Sequence, residues 1–263
     1  HKTTEVLKAY YKVTPSSVVC GDGAQFTLTV RVAPLPIVNE MTTVTCSESN
    51  FAITPTNEIN GIIPDFTSYS WSAPTVTGGM TGGESAMDVY TLSGNLYNPT
   101  NTIQTATYIV TPKSLFGYLG EPFTLTVSVY PIATITPIST VTCDGVEFIV
   151  VPANGTNGIV PDGTLYKWNI PTGGAFSNAF TQTSYVPEIK GTLVNDTNVL
   201  QSATYSIQTI SGNCIGKPFT TTVYLKPSAR INPISLSYCT GATFTITPTN
   251  GNYGIVPDGT LYT

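Results

Sequence analysis

The 263 residues carry 15 acidic against 10 basic side chains, a net charge of -5, with 41% apolar and 10% aromatic residues. That apolar content fills two or three cores, since domains usually hold about 100 to 150 residues, and it excludes a disordered chain. Charged residues reach only 10%, no Lys/Arg cluster is present to displace counterions from phosphate or grip anionic lipid, and no run of 18 apolar residues occurs, so neither nucleic acid nor membrane insertion is expected. Five cysteines without a CxxC pair, and a single histidine at position 1, offer almost nothing for a zinc site; disulfides in an oxidising compartment are the better expectation. No cofactor is implied.

In chain order, a pattern of about 97 residues repeats. Residues 1–35 read as the last strands of one unit, closing on Gln25-Phe-Thr-Leu-Thr-Val30. Residues 36–132 are a whole unit with Phe51-Ala-Ile-Thr-Pro-Thr56, Trp71, Tyr108 and a closing Pro122-Phe-Thr-Leu-Thr-Val127. Residues 133–229 repeat it with Phe148-Ile-Val-Val-Pro-Ala153, Trp168, Tyr205 and Pro218-Phe-Thr-Thr-Thr-Val223. Residues 230–263 open a fourth with Phe244-Thr-Ile-Thr-Pro-Thr249. The chain therefore reads as a window on a longer polypeptide.

Within the second whole unit, Phe148/Val150, Tyr166/Trp168/Ile170, Tyr205/Ile207 and Phe219/Thr221/Val223/Leu225 alternate with mostly polar residues, the period of half-buried antiparallel strands. Asp144-Gly145, the Asn154–Gly163 loop and Gly212-Asn213 break them with turn chemistry. About seven short strands with a tryptophan on the third predict an all-β chain of tandem immunoglobulin-like sandwiches. Tyr108 and Tyr205 stand where such folds place a tyrosine corner, or are plain core aromatics. Paired prolines at each junction, Pro34 and Pro36, Pro131 and Pro137, Pro227 and Pro233, favour extension and predict semi-rigid spacers. A linear, rod-like array advancing roughly 40 Å per repeat is expected.

The run Asn157-Gly-Ile-Val-Pro-Asp-Gly-Thr-Leu-Tyr-Lys-Trp168, its echo at Gly254–Tyr262, Ser202-Ala-Thr-Tyr205 and Gly212-Asn-Cys-Ile-Gly-Lys-Pro-Phe219 resemble the PKD-like repeats of giant Bacteroidota surface proteins, the SprB-like gliding adhesins. That resemblance implies type IX secretion across the outer membrane, a cell-surface filament, and gliding motility. Expected partners are neighbouring repeats, the motility and secretion machinery, and an external surface or polysaccharide met by a distal region. The first whole unit departs from the pattern at Asp65-Phe66 and at Leu115-Phe116-Gly117-Tyr118.

Two cysteine positions recur, one before the second strand (Cys46, Cys143, Cys239) and one between the last two strands (Cys20, Cys214). In an immunoglobulin-like sandwich these lie at opposite poles, whereas disulfide Cα atoms come within about 7 Å. Cys46 is therefore expected to bond Cys214 across a junction, with Cys20, Cys143 and Cys239 paired beyond this window. Leu115, Phe116, Tyr118 and Leu119 are expected to form a hydrophobic latch where the first unit lacks that cysteine. Asp65, Asp162 and Asp258 are weak calcium candidates, since one carboxylate per loop falls short of what calcium takes and Pro-Asp-Gly is ordinary turn chemistry. Asp144 and Glu147 read as an exposed turn pair rather than a catalytic dyad, and no enzyme is expected. Asn154-Gly-Thr156 and Asn195-Asp-Thr197 match glycosylation sequons by chance. A structural stalk is the expected role; the alternatives are a glycan- or surface-binding module using Tyr90, Tyr97, Phe176, Phe180 or Tyr185, and a phage or viral fibre domain.

Overall fold

A computed structural model describes residues 3–263, and every regular element in it is a β-strand. The described residues fall into two compact units, one ending at Tyr130 and the other Pro131–Thr263. The first unit opens with the antiparallel hairpin β1 (Leu7–Val13) and β2 (Phe26–Val32). It continues with β3 (Met41–Cys46), β4 (Asn50–Ile53), β5 (Ser68–Trp71), β6 (Ala86–Val89), β7 (Leu92–Tyr97), β8 (Gln104–Lys113) and β9 (Phe123–Tyr130). One sheet runs β6-β5-β8-β9-β3 and faces the pair β4-β7. The second unit repeats this with β10 (Ile138–Cys143), β11 (Glu147–Val150), β12 (Leu165–Trp168), β13 (Gln182–Val186), β14 (Ile189–Thr192), β15 (Gln201–Ser211) and β16 (Phe219–Lys226). Its sheet runs β10-β16-β15-β12-β13 and faces β11-β14.

Alternating β-branched and aromatic residues put one face of each sheet inside. Phe148 and Val150, Tyr166 and Trp168, Tyr205 and Ile207, and all of Phe219, Thr221, Val223 and Leu225 are buried. Ile170 departs from the expected alternation and is exposed. β12 ends at Trp168, and the chain then leaves the ladder, the Ile170 amide donating to Thr181 Oγ1 at 3.0 Å. Each core is built round a packed aromatic group. Trp71 and Phe51 lie 6.4 and 5.8 Å from Tyr108, and Trp168 and Phe148 lie 6.2 and 5.6 Å from Tyr205. Tyr108 is a core aromatic rather than a corner, because its buried hydroxyl has no hydrogen-bond partner. Burial pushes the phenols of Tyr69, Tyr108, Tyr166 and Tyr205 up to about 12.

One pairing differs from the expected all-antiparallel arrangement. β3 lies parallel to β9, and β10 parallel to β16. A parallel first and last strand means that the chain comes in at one pole of a repeat and leaves at the other, which lets repeats follow one another without a return crossover.

Candidate functional site at the poles of the repeats

The upstream pole holds the linker and the turn between the last two strands. In the second repeat that turn is a two-residue hairpin, with Ser211 opposite Cys214 and Gly212 at φ 58°, the geometry in which glycine leads the loop. Beyond it, Lys217 N donates to Ala133 O at 2.9 Å. Gly216 permits that approach, since a Cβ there would sit 2.6 Å from Ala133 O and 2.3 Å from Thr209 Oγ1. In the first repeat Gly120 plays the same part, a Cβ there falling 2.2 Å from Pro36 O. Three further close approaches stitch each linker to its own repeat: Ile37–Val38 pairs with Gly61–Ile62, Thr134–Ile135 with Gly158–Ile159, and Arg230–Ile231 with Gly254–Ile255. The linkers are thus seated on the following repeat rather than serving as free-standing spacers. Pro34, Pro36 and Pro131 are buried in that seat, Pro227 is half-buried, and Pro137 and Pro233 are exposed.

The downstream pole is organised by a buried asparagine in each repeat. Asn195 Nδ2 donates to Val199 O and Leu225 O, and its Oδ1 accepts from Thr197 N and Thr197 Oγ1, all at 2.8 to 3.0 Å. Asn98 makes the equivalent four bonds to Thr102, Val129 and Thr100. The Asn98 amide is met by Ser47 Oγ at 2.9 Å, and that of Asn195 by Asp144 Oδ1 at 2.8 Å. Asp144 therefore corrects the expectation of an exposed turn pair: its side chain is 7% exposed, and Arg230 Nε faces it at 3.7 Å, whereas Glu147 is exposed. Arg230 also donates to Asn195 O and faces Asp196 at 3.7 Å. Sequence reasoning missed this cluster, because nothing in a lone arginine after a proline marks its partners. Full burial of Asn195 also closes its sequon to modification, while Asn154 is exposed.

The other candidates sort by exposure. Leu115, Phe116, Tyr118 and Leu119 are all exposed on a longer hairpin closed by Gly117 N to Ser114 O, with Gly117 at φ 84°. Leu115 and Phe116 share a small hollow with Val6, Pro34 and Phe66; Tyr118 and Leu119 lie outside it. Phe66 takes φ 59° where Gly163 and Gly259 take 72° and 78°. Asp65, Asp162 and Asp258 are exposed on turns closed by Thr67, Thr164 and Thr260, each donating to a proline carbonyl at 2.6 Å. Among the described residues no three His, Cys, Asp or Glu side chains gather as a metal would need. Of the aromatics, Tyr90 and Phe180 are exposed, Tyr97, Phe176 and Tyr185 half-buried, and Lys167 Nζ lies 4.7 Å over the Tyr185 ring. Cys143, at the downstream pole, is an exposed free thiol, as are Cys20 and Cys239. Cys46 and Cys214 are disulfide-bonded.

Two like sandwiches with parallel first and last strands define a chain of tandem immunoglobulin-like β-sandwich repeats. The chain belongs to the PKD-like domain family, which matches residues 43–133 and 151–229. That fold is non-catalytic, so these residues do not form an enzyme. Similar solved structures include an endo-fucoidan hydrolase, MfFcnA4, from glycoside hydrolase family 107, at 9% identity over 86% of this chain and 34% of that one, with a TM-score of 0.29. Chicken CNTN1 FN1-FN3 domains match at 11% identity over 83% and 76%, TM-score 0.32. The four N-terminal immunoglobulin domains of Dscam1 isoform 1.9 match at 9% over 83% and 54%, TM-score 0.28. The chain spans about a third of the length of the fucoidan hydrolase. No curated protein matches it.

Proposed function

We propose that this chain is a stalk segment of an exported cell-surface adhesin, in which PKD-like repeats in series hold a binding region away from the cell. The observation that carries the reading is where the cysteines stand. Cys46 ends β3 at the downstream pole of one repeat, Cys214 sits at the upstream pole of the next, and both are disulfide-bonded. The alternative partner within the second repeat, Cys143, is free, and the eight residues of β16 hold the two poles roughly 26 Å apart. Cys46 and Cys214 bonded to one another lock the junction, and Cys20, Cys143 and Cys239 make the same bond with repeats beyond residues 1 and 263. On this reading residues 1–35 and 230–263 belong to flanking repeats, with 36–132 and 133–229 the two whole ones. A disulfide-linked array suits an oxidising exterior. The finer reading, an SprB-like gliding adhesin exported by type IX secretion in a Bacteroidota cell, rests on the repeat motifs quoted above.

Surface labelling tests the role. An antibody to this segment stains intact producing cells, and deleting the repeats while keeping the rest of the gene weakens attachment and spreading without loss of export. Staining only after lysis, or unchanged attachment, overturns it.

A further inference from the structure

The two whole repeats share their aromatic core but not what covers it. In the second, Phe180 lies 6.1 Å from Trp168 and covers Trp168 and Gly191; a Cβ on Gly191 would already sit 3.7 Å from the Phe180 ring. The strand registers put Glu84 at that position in the first repeat, since Ala86 pairs with Trp71 as Gln182 pairs with Trp168. The first repeat has an open cleft of about 440 Å³ lined by Trp71, within the range of small-ligand sites. We propose that this cleft binds one residue of a neutral saccharide, a role independent of the stalk reading.

The chemistry of the cleft narrows the ligand. Trp71, Ala86 and Val89 give it an apolar wall, suited to the C–H face of a sugar ring. Ser85 and Ser93 bring exposed hydroxyls, which both donate and accept. Asn95 also lines the cleft, its Nδ2 committed to Glu48 O and Asn50 Oδ1, each at 3.0 Å. The one ionisable lining residue is Glu84, which disfavours uronates and sulfated sugars by like-charge repulsion. The Tyr108 hydroxyl is buried without a partner directly beneath the glycine floor, 2.6 Å from where a Cβ on Gly83 would lie and 3.3 Å from one on Gly94. Glu84 O meanwhile takes the Trp71 indole N–H at 3.0 Å, whereas Trp168 Nε1 has no partner.

Each repeat carries one tryptophan, so the test is spectroscopic. In a Trp168→Phe background, Trp71 emission is titrated with neutral disaccharides of gluco, galacto and manno configuration, with a glucuronate disaccharide, and with N-acetyl-phenylalanine amide. The expected result is a saturable shift with at least one neutral disaccharide, at least tenfold weaker binding of the uronate, and at least tenfold loss in Ser93→Arg, an exposed position whose change leaves the melting temperature unmoved. Phe180→Gly, tested with Trp168 retained and Trp71→Phe, creates a second responsive site. No response to any neutral sugar at 100 mM, full binding by a folded Ser93→Arg, or a response to the phenylalanine amide alone overturns the proposal.

Discussion

Asn98 and Asn195 show how much one side chain holds at the downstream pole. Each satisfies two carbonyls, one amide and one threonine hydroxyl while itself fully buried. Replacing Asn195 by Ala strands Val199 O, Leu225 O and Thr197 N, and each buried orphan costs about 1 to 3 kcal/mol. Asn195→Ala therefore loses roughly 3 to 5 kcal/mol of stability for the second repeat, read as a lower urea midpoint, while Asn154→Ala, on an exposed loop, moves it much less. The four buried tyrosines make a second residue-scale prediction. Their phenols are raised from 10 to about 12 in the folded protein, so the unfolded chain ionises first as pH rises. The stability they hold is full below pH 10 and is lost between pH 10 and 12, at up to about 1.4 kcal/mol per pH unit for each phenol. Thermal melts from pH 8 to 12 show that steep fall, and Tyr166→Phe makes it shallower; a flat profile contradicts it.

Among the elements, the linker seats are where glycine is obligatory. In Gly216→Ala the new Cβ meets Ala133 O at 2.6 Å and Thr209 Oγ1 at 2.3 Å, contacts that real Cβ atoms do not make. The Lys217 N to Ala133 O bond breaks, the linker lifts, and hydrogen exchange at Lys217 rises at least tenfold while the buried β15 amides stay protected. Gly212→Ala, at a hairpin position with open space around it, leaves the Lys217 amide protected. Sequence alone made the strands legible, because Phe148, Tyr166, Trp168, Tyr205 and Val223 carry the period-2 signal of a buried face. It hid the parallel pairing of β3 with β9, since Met41–Cys46 alternates in the same way whichever edge it joins. It hid the burial of Asp144 for a related reason: Asp-Gly is a turn signal, and only the fold brings Asn195 N within 2.8 Å of that carboxylate. The exchange of Phe180 for Glu84 was visible as a pair of letters but had no meaning until the strand registers placed both beside a tryptophan.

For the whole molecule, the proposed Cys46–Cys214 bond decides how the chain bears load. Pulled from its ends, a chain bonded at 46 and 214 transmits force through the sulfur atoms, and the 167 residues between them carry none. Most of both cores, from β4 to the end of β15, lies inside that shielded loop. Force then runs from Cys214 through the covalent backbone of β16 into the Pro227–Pro233 linker, and the hydrogen bonds that pair β16 with β10 over Ile138–Cys143 lie off that path. At about 3.5 Å per extended residue, reduction releases roughly 580 Å of additional contour length. Single-molecule stretching of the 263-residue chain with and without a thiol reductant measures that increment. A bond from Cys143 to Cys214 would instead hide only 70 residues and release about 245 Å, and Cys46→Ser would leave that smaller increment untouched. An increment near 580 Å that vanishes in Cys46→Ser makes the junction a covalent load path; the smaller value makes each repeat an unlinked spring that unfolds under the same tension.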